Sequence, residues 1–245
     1  MFPISDDNPR NIIPFVSWTL LGLCVAAFLW QIMLDQQSLQ TAIYEYGMVP
    51  ARLFGAADIP GVGEQFPPWA TILTSMFLHG DILHLAGNML FLWIFGDNIE
   101  ESMGHLKFLV FYVLCGIVAA LLQAGLNPES PIPMIGASGA ISGVLGAYIL
   151  LHPFATVRVL FILGVYANIV KIPAVLVLGL WFAGQVASAA FTPLDQPGIA
   201  FWAHIGGFVA GLILVIVFRR RDVPLFQRAL SKPFSKEKEF RYRSR

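Results

Sequence analysis

Six apolar runs, near residues 12–34, 81–101, 106–127, 136–152, 172–191 and 199–218, constrain this chain more than any other feature. A helix rises about 1.5 Å per residue, so about 20 residues cover the roughly 30 Å of a bilayer's hydrocarbon core. Five runs reach that length and the fourth is short. Soluble domains carry about 25% charged residues. This chain of 245 residues carries 12%, with a mean hydropathy of +0.71. The expected fold is all-α, a polytopic membrane bundle of six transmembrane helices over residues 1–218, followed by a basic cytoplasmic tail over 219–245.

The first run is too long for a signal-peptide core and no small-residue cleavage site follows it, so no removable leader is expected. Cys24 and Cys115 both lie inside apolar runs, where packed, reduced thiols are expected. Orientation comes from the cations. With six crossings, fourteen of the fifteen Lys and Arg fall on the side that holds both termini, and only Arg52 falls opposite. That asymmetry places both termini in the cytoplasm, in a plasma (inner) membrane. Two stretches break the pattern of span and loop. Residues 35–80, with the Pro/Gly-rich centre "IPGVGEQFPP", read as an external segment partly embedded in the outer leaflet, with Asp81 as N-cap of the next helix. Residues 153–171 are apolar with two cations and read as an interfacial segment on the inner face.

The chemistry gathers at the outer ends of three runs. The second, fourth and sixth runs all enter from outside, and within about one or two turns they carry His84 with Asn88, Ser138, and His204. Ionisable residues inside a span are expensive and mark functional positions. His84 and Asn88, at i and i+4, share one helical face. Small residues explain how these groups can meet. Gly139 and Gly143 form one G-x-x-x-G pair, Gly207 and Gly211 another, and such stripes let helix backbones approach closely. A serine within reach of a neutral imidazole is an activated nucleophile with the histidine as general base. The Ser138 amide and the His84 and Asn88 side chains are placed to hydrogen-bond a tetrahedral oxyanion. Asp97, Glu100 and Glu101 lie at the far end of the second run. A Ser–His dyad is therefore expected, without a third acid.

The set H-x4-H-x3-N (His79, His84, Asn88), G-x-S-G (Gly136, Ser138, Gly139) and A-H-x-x-G-x-x-x-G (Ala203, His204, Gly207, Gly211) resembles the rhomboid intramembrane serine proteases. The resemblance runs from about Phe66 to Gly211, and six spans with both termini inside suit the bacterial form. It implies hydrolysis of peptide bonds within or beside the transmembrane helix of a single-span membrane protein, with the bilayer as setting and without metal, cofactor or nucleic acid. By the same resemblance Ser138 is the nucleophile, His204 the base, His84 and Asn88 oxyanion donors, and His79 a structural residue. Glu100 and Gly104 are similar to a Glu-x-x-x-Gly turn of the family. Two positions depart from its pattern. Trp69 is followed by Ala70 where many members have Arg, and Ser142 stands where some members place an aromatic against the histidine.

Three other readings compete. A metal site from His79, His84 and His204 has an i, i+5 spacing that splits the first two across faces, and no thiolate or carboxylate joins it. A non-catalytic rhomboid-like binder of membrane helices typically lacks the serine or the histidine, whereas this chain keeps both. A transporter would carry buried charge pairs, and often inverted repeats, which these spans lack.

Overall fold

Proline, aspartate and glycine residues set the ends of the helices in the computed structural model, which describes residues 2–56, 66–163 and 166–228. Helix α1 (Phe15–Met33) starts after Pro14. Its first amides are taken by a carboxylate from elsewhere in the chain: Val16 and Ser17 N–H donate to Glu100 at 2.9 and 2.8 Å. An anion at a helix N-terminus satisfies unpaired donors and complements the dipole. The segment read as a partly embedded loop is more regular than expected. It forms α2 (Gln36–Tyr46, capped by Asp35), α3 (Pro50–Leu53), a 3₁₀ turn at Pro68–Ala70 and α4 (Thr71–Thr74). The centre of the Pro/Gly-rich stretch, 57–65, lies outside the described residues.

Asp81 caps α5 (Ile82–Met103), accepting from the Leu83 and His84 amides at 2.8 Å each. Gly104, with φ of +84°, makes the sharp turn into α6 (His105–Leu126). Next come α7 (Ser138–Leu151), α8 (Ala174–Phe191) and α9 (Phe201–Phe218). Among the described residues, five helices (α1, α5, α6, α8 and α9) are long and apolar enough to cross a bilayer. The sixth, α7, has 14 residues, about 21 Å at helical rise. It is the central helix, buried from Gly139 through Tyr148 and packed against α5, α6, α8 and α9. A helix enclosed by protein has no need to match the thickness of the lipid, which explains its shortness. The chain is a multi-pass membrane protein.

The all-α expectation needs a correction. Strands β1 (Phe2–Asp6), β2 (Thr156–Leu163) and β3 (Tyr166–Pro173) form an antiparallel sheet in that order. It covers the end of the bundle away from Ser138. The segment read as interfacial supplies β2 and β3, paired from Thr156↔Pro173 to Leu163↔Tyr166. In β2, Val157 and Val159 are buried while Arg158 faces out. The period-2 alternation of a half-buried strand was thus present in "TVRVL". The N-terminal residues add the third strand, and the Asp6 carboxylate accepts from the Tyr148 hydroxyl on α7. Part of the sequence read as tail also returns to the bundle. Phe226 and Gln227 N–H donate to the Leu150 and Leu151 carbonyls, orphans of α7's last turn, at 3.0 and 2.8 Å. The rest of the expected tail, 229–245, lies outside the described residues.

Candidate active site

Three helix starts converge at one end of the bundle. Ser138 is the first residue of α7, His84 and Asn88 lie in the first two turns of α5, and His204 lies in the first turn of α9. His204 Nε2 stands 2.7 Å from Ser138 Oγ, a normal hydrogen bond. The approach of α7 to α9 that permits this is backbone on backbone. A Cβ built at Gly207 falls 1.9 Å from the Gly139 carbonyl oxygen, and one at Gly211 falls 2.0 Å from that of Gly143. Any side chain at either position would hold the two helices apart.

Gly136 lies two residues before the start of α7 with φ of +127°, a conformation that L side chains rarely adopt. A Cβ there would meet the His84 ring at 2.8 Å, at both Cε1 and Nε2. The Gly136 amide is anchored to the Ser75 carbonyl at 2.8 Å. His84 Nδ1 accepts from the Gly80 amide at 3.4 Å, which leaves the ring proton on Nε2, the atom that faces Gly136. Asn88 is buried, and its side-chain N–H₂ finds no partner among the described residues. Buried donors are almost always paired. An orphan of this kind beside a cavity is prepared for something that enters it. The cavity, about 720 Å³, is lined by Ser138, His204, His84 and Asn88 together with Gly136 and Trp181.

His79 is not in this lining. It is buried beside His84, with ring centroids 5.1 Å apart. Gln31 of α1 brackets its backbone, donating to the His79 carbonyl and accepting from its amide at 3.0 Å each. The acids at the other end of α5 stay there: Glu100 caps α1 and meets His105 Nδ1 at 2.5 Å. Ser142, in the place of the family's aromatic, donates to the Ser138 carbonyl at 2.6 Å. Two aromatics stand beside the His204 ring instead, Trp181 of α8 at 6.0 Å and Phe201 of α9, edge-on, at 6.4 Å.

Residues 67–221, which carry Ser138, His204, His84, Asn88 and His79, match the Rhomboid domain family. The chain belongs to the rhomboid family. It is 30% identical to Rhomboid-like protease 3 of Toxoplasma gondii over 230 residues, 90% of this chain and 78% of that one. It is 35% identical to Rhomboid protease GluP of Bacillus subtilis (strain 168) over 158 residues, 64% of this chain but 27% of that one. With Rhomboid protein 1, mitochondrial, of Saccharomyces cerevisiae the identity is 28% over 215 residues, 84% of this chain and 53% of the yeast protein. This rhomboid therefore spans about a quarter of the Bacillus protein and about half of the yeast one.

One polar residue at the site was missed from the sequence. Gln185 of α8 places its side-chain oxygen 2.7 Å from His204 Nδ1. The signal was available, because an amide in the otherwise apolar run 172–191 is an intramembrane polar residue in need of a partner. What hid its partner is that the contact depends on how α8 packs on α9.

Proposed function

We propose that this rhomboid is an intramembrane serine endopeptidase that cleaves peptide bonds in or next to the transmembrane helices of single-span membrane proteins, through a Ser138–His204 dyad. The observation that carries the proposal is the 2.7 Å contact between Ser138 Oγ and His204 Nε2. In this mechanism Ser138 Oγ attacks the scissile carbonyl carbon while His204 Nε2 takes the hydroxyl proton. The carbonyl oxygen becomes an oxyanion that the Asn88 N–H₂, the His84 Nε2–H and the Ser138 amide stabilise. The C–N bond then breaks, and His204 returns the proton to the leaving amine. A water attacks the resulting ester, His204 Nε2 takes one of its protons, and the second tetrahedral intermediate collapses. Ser138 leaves with that proton and the product leaves as a carboxylic acid. In this reading both termini lie in the cytoplasm and the dyad near the external face, which the cation asymmetry supports.

The test is incubation of the purified protein with a fluorophosphonate and with a single-span membrane substrate. Wild type should label at Ser138 and cleave, while Ser138→Ala and His204→Ala should do neither though still inserted. Substantial proteolysis by Ser138→Ala would refute the assignment, and a folded wild type that neither labels nor cleaves would favour a non-catalytic binder of helices.

A further inference from the structure

We infer that Gln185 is the positioning residue of the catalytic base: its amide oxygen holds the proton of His204 on Nδ1 and so keeps Nε2 free to deprotonate Ser138. The inference rests on the dyad proposed above. A neutral imidazole has two tautomers, and only the one with its proton on Nδ1 offers a lone pair to the serine hydroxyl. In a Ser–His–Asp arrangement a carboxylate selects this tautomer. Among the described residues no carboxylate reaches His204; its two ring nitrogens meet Ser138 Oγ and Gln185 Oε1, each at 2.7 Å. The amide oxygen is an acceptor, so the nitrogen facing it carries the hydrogen. Ser142 is too short to stack on the ring and is engaged with the Ser138 carbonyl. The ring packs against Trp181 of α8 at 6.0 Å and edge-on against Phe201 of α9 at 6.4 Å, and the acceptor for its Nδ1 comes from Gln185.

This assignment has a consequence for motion. Only Ala174, Leu178 and Ala189 of α8 are buried, and its tightest ring contact is the Phe182–Phe208 stack with α9 at 4.2 Å. If α8 swings aside to admit a substrate, Gln185 leaves with it. The base is then set for proton transfer only once α8 has returned, which ties chemistry to closure.

The experiment uses full-length protein with ¹⁵N-labelled histidine, the His204 resonances being assigned by comparison with His204→Ala. Wild type should show His204 with its proton on Nδ1. Gln185→Met, close in size but without the carbonyl acceptor, should shift His204 toward the Nε2–H tautomer. It should lower kcat and the fluorophosphonate labelling rate together, by about 10- to 10²-fold, and leave KM within about twofold. Gln185→Glu, which keeps an oxygen acceptor, should restore the Nδ1–H tautomer and most of the rate. A purely structural role would not move the tautomer, so unchanged His204 resonances and unchanged kcat in Gln185→Met would overturn the inference. If Gln185→Met does not fold, Gln185→Asn keeps the amide but falls about one bond short, and the same two readings decide. Ser138→Ala separates the two proposals. Cleavage by that variant would sink the protease reading, whereas the Gln185 inference is judged on the tautomer and kcat in the Ser138 protein.

Discussion

Gly207→Ala is the sharpest single perturbation of this bundle, because one methyl group meets a backbone it cannot displace cheaply. The added Cβ would stand 1.9 Å from the Gly139 carbonyl oxygen and 2.9 Å from its carbon. Carbon–oxygen contacts normally settle at about 3.3 Å, so α7 and α9 must part by roughly 1.4 Å at this level. Gly139 adjoins Ser138, and His204 lies one turn from Gly207. The same displacement would stretch the 2.7 Å Ser138–His204 hydrogen bond beyond its useful limit of about 3.2 Å. Overpacking typically costs about 1–3 kcal/mol, and the better helix propensity of alanine offsets up to about 1 kcal/mol of that. The protein should therefore stay inserted and folded, while a misplacement of about 1 Å lowers turnover on the order of 10²-fold. Gly207→Leu should abolish it. The assay is turnover of a single-span substrate in proteoliposomes, run beside the fluorophosphonate labelling rate and a thermal melt. Gly22→Ala on α1 is the control, since a Cβ there meets nothing within 4 Å. Turnover by Gly207→Ala within about twofold of wild type would refute the claim that helix contact sets the dyad's geometry.

Asn88→Ala should slow cleavage by about 10²–10³-fold, with KM little changed, since it removes one proposed oxyanion donor; a large rise in KM instead would make Asn88 a substrate-binding group. Joining Phe91→Cys on α5 to Trp181→Cys on α8, whose native rings lie 6.4 Å apart, with a bifunctional thiol reagent should lower cleavage of membrane substrates well below that of the same double variant left uncross-linked. Full turnover by the cross-linked protein would remove α8 as the lateral entrance. A reporter fused after Arg245 should behave as cytoplasmic and one inserted at Gly55 as external, and the reverse pattern would put the dyad at the inner face. Burial pushes the Asp6 carboxyl up to about 7 against the opposing pull of the Tyr148 hydroxyl, with Asp97 and Asp7 adding repulsion. The docked strand then keeps a proton that a free strand gives up near 3.8, so docking of β1 should weaken as pH rises from about 4 through 7. Proteolysis of the N-terminal strand should be faster at pH 8 than at pH 6 in wild type and pH-independent in Asp6→Asn; equal rates in wild type would contradict this.

Hydropathy made the helices legible before any coordinate, because about 20 apolar residues admit few other fates. Asp81 as a cap and Gly207 with Gly211 as a contact face were equally readable, since each depends on helical periodicity along one short segment, and the grouping of Ser138, His204, His84 and Asn88 was expected from their common depth on three runs that enter from one side. Three things were not. Periodicity does not tell whether a short apolar helix faces lipid or protein, and only the packing shows α7 enclosed by four neighbours. Strand pairing between Phe2–Asp6 and Thr156–Leu163 joins segments about 150 residues apart, and no local pattern announces a partner at that distance. Gln185 meets His204 across 19 positions and two helices, a contact set by how α8 leans on α9 and not by the sequence of either. Residue chemistry and spacing determine which groups a chain can bring to a site; which polar atom finally faces which is decided by tertiary packing, because a hydrogen bond depends on distances of a few tenths of an ångström that no one-dimensional pattern carries.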